Sequence, residues 1–130
     1  MRVHLFTSNW ILSLDFKNRF IMEINRLPTK EEQMLLKFLI KKASINFLDD
    51  LKNLLVREME DGGMGSLSLI PKGLENEKRA IGEQVSEYQF NDEDGVTVLA
   101  TLYVDTLERL FEMDVWKVNF SPLIRFPNII

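Results

Sequence analysis

Residues 96–104 alternate with a period of two: Val96, Val98, Ala100, Leu102 and Val104 on one side, Thr97, Thr101 and Tyr103 on the other. Only extended backbone sends neighbouring side chains to opposite faces, so this stretch predicts a strand with one apolar side and one wettable side. Asp92-Glu93-Asp94-Gly95 stands just before it and reads as a hairpin turn, because Asp-Gly supplies the positive φ of a tight reversal. Residues 83–91 are then the paired strand, with Val85, Tyr88 and Phe90 as its packing side chains. Residues 105–108 turn the chain again. Residues 110–118 follow as a strand, with Phe111, Met113 and Val115 on one face and Glu112, Asp114 and Trp116 on the other.

A sheet with one apolar face needs a cover, and the chain supplies one upstream. Thr29-Lys30-Glu31-Glu32 is a helix start in which Thr29 caps and Glu32 completes a capping box. Met34, Leu35, Leu36, Phe38, Leu39, Ile40 and Ala43 form a wide apolar face, opposed by a stripe of Lys30, Gln33, Lys37, Lys41 and Ser44. The spacing predicts a helix over 30–43. A shorter helix from Asn46 follows from Phe47, Leu48, Leu51, Leu54 and Leu55, with Asp49 and Asp50 in its first turn, where the helix dipole favours them. Residues 55–60 read either as the end of that helix or as a strand. Asp61-Gly62-Gly63-Met64-Gly65 joins that segment to a strand over 66–70, and Met64 at the loop tip is expected to be exposed. Residues 74–80 read as a loop. The tail from Phe120 is apolar, and Pro122 and Pro127 exclude a continuous helix or central strand.

The expected fold class is α+β: one or two N-terminal helices packed on an antiparallel meander of about five strands. Leu35, Phe38 and Leu39 are expected against Val98, Ala100, Leu102, Phe111 and Met113. Residues 26–130 form one domain, since a chain of 130 residues buries roughly two thirds of its unfolded surface without staples. Residues 1–25 are an uncertain arm, readable as two short strands. Met22 precedes the first clean helix signal, so translation starting there is one reading, with residues 1–21 an upstream extension. His4, Thr7, Ser8, Asn9 and Ser13 interrupt the apolar N-terminus, which lacks the three-part pattern of a signal peptide.

Composition excludes some chemistries. There is no cysteine, hence no disulfide and no thiolate zinc site or thiol nucleophile, and a reducing cytoplasm is expected. No apolar run approaches the ~20 residues that span a bilayer, so no membrane partner is expected. The net charge is −4, and the acidic residues concentrate beyond residue 45, which argues against nucleic-acid binding there. His4, the one histidine, lacks companions for a metal site or a triad. Counted from Asp92, a calcium loop would need a Glu where Tyr103 stands, so a solvated turn is the simpler reading. The glycine loop leads into a strand rather than a helix, unlike phosphate cradles. Lys30, Lys37 and Lys41 read as a solvated stripe. No catalytic residue, metal site or cofactor is expected.

Glu112 and Asp114 should stand about 7 Å apart on one strand face. With Trp116 continuing that face and Glu87 as a cross-strand neighbour, the four suit a basic side chain through charge and ring contact together.

The segments Leu54 through Leu67 with its DGGMGSL core, Asp92-Glu93-Asp94-Gly95-Val96, and Asp114-Val115-Trp116-Lys117-Val118-Asn119-Phe120-Ser121-Pro122-Leu123-Ile124 resemble a family of small bacterial proteins known only as a domain of unknown function. The resemblance spans roughly residues 25–127 and leaves 1–21 outside. It implies a bacterial cytosolic source and carries over no catalytic residues.

The expected function is a non-enzymatic protein-binding module, in one version an immunity-type inhibitor of a basic protein partner. Two alternatives stand beside it. One is a small-molecule-binding or hydrolytic domain with a pocket between helix and sheet. The other is a self-associating module, a homo-oligomer formed through the C-terminal tail.

Overall fold

The computed structural model describes residues 3–7, 10–14 and 20–129, with side chains from residue 24 onward. Strands β1 (Val3–Thr7), β2 (Trp10–Leu14) and β3 (Phe20–Ile24) pair antiparallel in that order. The side chain of His4 and the question of a start at Met22 lie outside what is described. Beyond β3, Arg26 exchanges two backbone hydrogen bonds with Val56, 2.8 and 2.7 Å long, which ties this segment to the edge of the main sheet.

Helix α1 (Lys30–Ala43) begins as its capping residues dictate. Thr29 Oγ1 accepts from the Glu32 N–H, and the Glu32 carboxylate accepts from the Thr29 N–H. Arg26 clasps the same carboxylate, at 2.7 Å to Oε1. Burial alone would push Glu32 up, but Arg26 and Thr29 more than offset it and hold the group below its ordinary value. A short 3-10 turn (Ile45–Phe47) then leads into α2 (Leu48–Leu51). This second helix is only four residues long, so Leu54 and Leu55 lie beyond it. Leu55 opens a strand, which decides the open reading of 55–60.

The main sheet has five antiparallel strands: β4 (Leu55–Glu58), β5 (Leu67–Ile70), β6 (Ile81–Asn91), β7 (Thr97–Asp105) and β8 (Leu110–Lys117). Their order is β4-β5-β8-β7-β6. The connection after β5 carries the chain to the far edge, and β8 returns beside β5, the arrangement of a Greek key. Arg79 secures that connection: its guanidinium donates to Leu110 O at 2.7 Å, Leu69 O at 2.5 Å and Asp105 Oδ2 at 3.2 Å.

One layer of side chains fills the space between α1 and the sheet. Leu35, Leu36, Leu39 and Ile40 are fully buried against Val56, Leu69, Val98, Ala100, Leu102 and Met113. Two members of the expected core sit elsewhere. Phe38 is half-buried, edge-on to Tyr88 at 4.8 Å. Phe111 occupies a bulge: Tyr103 pairs with Glu112 and Val104 with Leu110, which leaves Phe111 without a partner. It lies instead under the Arg79 guanidinium, 5.1 Å from ring centre to cation. A second bulge, between the Gln84–Tyr103 and Ser86–Leu102 pairs, lets Val85 reach the core although its parity differs from that of Tyr88 and Phe90. Among the described residues, no helix is long and apolar enough to cross a membrane.

Candidate functional site

The helices cover one face of the sheet; the other is a grid of outward side chains set by strand register. One row runs Arg57, Ser68, Glu112, Tyr103, Gln84 across all five strands. The next row places Asp114 and Glu87 on either side of Thr101, and a third places Trp116 and Gln89 on either side of Leu99. All four residues expected to bind a partner therefore share this face. Glu87, however, is not the immediate cross-strand neighbour of β8. β7 intervenes, so Glu87 and Asp114 stand two strand spacings apart, about 10 Å.

Glu112 and Asp114 form the chemical centre of the face. Both are half-buried. Burial, a hydrogen bond to Asp114 and the charge of Asp114 push the Glu112 carboxyl up to about 8. Two neighbouring carboxylates do not both ionise freely, and the hydrogen bond to Asp114 favours the protonated form of Glu112. The other oxygen, Asp114 Oδ1, is buried without a hydrogen-bond partner. Burial first, then the charges of Asp114, Glu112 and Glu87, raise the Tyr103 phenol as well. The face thus holds a negative field, one proton and one unanswered acceptor.

Trp116 is 44% exposed, and Phe120 beyond it is 70% exposed, with ring centroids 6.2 Å apart. Phe120 also has φ 62, a left-handed conformation that a bulky side chain rarely adopts. The strain is held by a tight turn in which the Phe120 N–H donates to Lys117 O at 2.8 Å. The neighbouring Asn119 Oδ1 accepts from both the N–H and the hydroxyl of Ser121. An aromatic pair next to an acidic pair can take a cation on charge and ring faces together.

Residues 61–65, 92–95 and 117–126 converge at the end of the sheet, on a residue the sequence reading passed over. Lys117 is fully buried. Its ammonium donates to Asp92 Oδ2 and Asp94 Oδ2, both at 2.7 Å, and to Pro122 O at 3.3 Å. Asp92 also accepts from the N–H groups of Glu93, Ile124 and Arg125. The hairpin turn is therefore not solvated at Asp92. Met64 is not exposed either: it is half-buried, and its sulfur accepts from the Lys117 N–H at 3.4 Å. Gly63 O accepts from the Leu123 N–H at 3.0 Å, and a Cβ on Gly65 would lie 3.3 Å from the Phe126 ring. Leu123, Phe126 and Ile129 pack on the core of the same chain. One signal for this clamp was present in the sequence: strand parity puts Lys117 on the side of Met113 and Val115, and a cation on an apolar face calls for a partner.

The remaining candidates are plainer. Among the described residues, no group of three or more His, Asp and Glu is placed to hold a metal ion. The glycine loop turns between two strands as expected, with Gly62, Gly63 and Gly65 all at positive φ. Within the lysine stripe, Lys30 and Lys37 face α2 across a groove.

A family model described as "Domain of unknown function (DUF6984)" matches residues 25–127, and the chain belongs to that family. No curated protein and no solved structure matches it.

Proposed function

We propose that this member of the DUF6984 family is a non-enzymatic protein-binding module whose acidic sheet face takes up a basic partner. One observation carries the reading: half-buried Glu112 and Asp114, with Asp114 Oδ1 lacking a donor, stand on one open face with exposed Trp116. An incoming Lys or Arg meets the negative field of the pair at its solvent-facing edge, while its stem lies along the indole ring. Glu87 lies two strands away, beyond β7, and adds long-range attraction. In its most concrete form the module is an immunity-type inhibitor, acting in the bacterial cytoplasm on a basic protein. Acidic inhibitors of that kind are steered quickly onto basic targets.

The test is affinity capture from the native host with three baits: wild type, Trp116→Ala and Asp114→Ala. The expected result is a basic protein that binds wild type, is lost from both variants, and rebinds as a purified pair with strong salt dependence. Capture indifferent to both substitutions removes the reading.

A second reading has its own observation. Phe120 and Ile124 remain exposed on a tail whose Leu123, Phe126 and Ile129 pack on the core, which favours self-association through that tail. Light scattering of full-length protein against a Phe120→Ser, Ile124→Ser variant separates the two.

A further inference from the structure

On the opposite side of the molecule from the acidic sheet face, α1 and α2 leave a groove of about 520 Å³ between them. Its apolar surface comes from Met34 on α1 and from Leu48 and Leu51 on α2, and its rim carries Lys30, Lys37 and Lys52. All three lysines and Met34 are exposed, while Leu48 and Leu51 are half-buried. Positions 30, 34 and 37 fall on one side of a helix by the 3.6-residue repeat. The stripe that the sequence presents as a solvated face is therefore one wall of a concave, mostly apolar site with a cationic rim.

We infer that this groove docks an acidic amphipathic helix of a partner protein. Charge complementarity selects the sign: three ammonium groups stand at the rim, and among the described residues the one ion pair they make is Lys52 with Asp49, at 3.7 Å and highly exposed. Such a pair exchanges readily for another carboxylate. Lys30 and Lys37 lie seven residues apart, about 10 Å along the axis, so carboxylates two turns apart on a helix lying alongside α1 match them. Shape selects the helix. The backbone of α1 is hydrogen-bonded within itself, so the wall offers no ladder to an extended strand, and an occupant must satisfy its own backbone groups. Leucines at i, i+3 and i+7 would then meet Met34, Leu48 and Leu51.

The experiment uses full-length isotope-labelled protein and a synthetic 16-residue peptide. Leucine recurs every three or four positions in it, with glutamates on the flanks; a second peptide replaces every Glu by Gln. The expected result is saturable shifts of the Met34, Lys37, Leu48 and Leu51 amides with the acidic peptide. Affinity should fall about tenfold or more between 50 and 300 mM salt. Binding should fall at least as far in Lys30→Gln, Lys37→Gln and in Met34→Asp, whose amide spectra report an intact fold. Trp116→Ala should bind as wild type, which keeps this test separate from that of the sheet face. Equal binding of the Gln peptide, shifts centred elsewhere, or no shifts overturn the inference. So does saturation of the groove by laurate where the peptide fails, which assigns it to a small amphiphile. Concentration-dependent shifts of the same amides without peptide assign it to a second copy of the chain and overturn it too.

Discussion

Lys117 Nζ lies 2.7 Å from Asp92 Oδ2, and both side chains are completely shielded from water. This contact joins the end of β8 to the turn between β6 and β7, and through Asp92 it reaches the backbone of the tail at Ile124 and Arg125. The two partners are not equivalent, because Asp92 has three further donors on the backbone.

Asp92→Ala is therefore expected to be the more damaging of two substitutions. It leaves three backbone N–H groups without their acceptor and the buried ammonium with only Asp94 and Pro122 O, and should cost about 3 kcal/mol, the low end for breaking a buried ion pair, because Asp94 still answers the charge. Lys117→Met leaves Asp92 with its N–H donors and fills the space with an apolar chain, so its cost should be smaller. Urea denaturation of both variants gives the order; equal midpoints would contradict the asymmetry.

Acid should unfold the protein partly through the same carboxylate. Burial alone would push Asp92 up, but hydrogen bonds from Ile124, Lys117, Glu93 and Arg125 outweigh it and hold the group at about 2. A carboxyl depressed in the folded state adds stability above its unfolded value of 3.8, and that stability is lost as pH falls toward 2. In wild type the urea midpoint should drop between pH 4 and pH 2. In Asp92→Asn, less stable at pH 6, the drop over this window should be shallower.

Glu112 has the opposite sign. Raised from 4.5 to about 8 in the folded chain, it adds stability below pH 4.5 that is lost as pH rises through 8. Glu112→Gln keeps the donor and removes the charge, so its stability relative to wild type should grow across that window. Water reaches one side of the pair, which limits the gain to about 1 kcal/mol. Thermal melts at pH 5 and pH 9 read the difference directly, and parallel shifts of the two proteins would refute the raised carboxyl.

Gly82 tests the start of β6. A Cβ there would lie 2.5 Å from Asp105 O and 3.0 Å from Val104 O, both rigid backbone atoms. Gly82→Ala must push the strand off β7 and should cost more than 2 kcal/mol, by analogy with overpacked cores at about 1–3 kcal/mol. Gly62→Ala meets nothing within 4 Å, and its penalty comes from φ +76 alone, about 1 kcal/mol. Melting temperatures of the two variants should rank in that order.

Much of this architecture was legible in the chain, and for local reasons. The Thr29–Glu32 box and the apolar period of α1 gave the helix over 30–43. The alternation in β7 and the turns around it gave three strands, and the same alternation placed Glu112, Asp114 and Trp116 on one outward face. Other features were not legible. A bulge in β8 shifts parity, so Phe111 points where a strict period of two does not send it; Val85 reaches the core as expected, through a register shift that alternation alone does not show. The connection after β5 crosses to the far edge, so β7 separates Glu87 from Asp114. Asp92 is buried under a tail that carries no regular pattern of its own, and Met64 is half-buried against the Lys117 backbone.

By itself, the amino-acid sequence determined α1, the strands from β5 to β8 and the two-faced character of the sheet, because each depends on residues within a turn or a few pleats of one another; it left 55–60 and the first 25 residues open. Tertiary structure decided strand order, the Lys117–Asp92 clamp across 25 positions, the half-buried contact of Glu112 with Asp114, and the groove between the helices. These depend on which distant segments exclude water from each other. A charge buried by remote chain has an energy that no neighbour in sequence reveals.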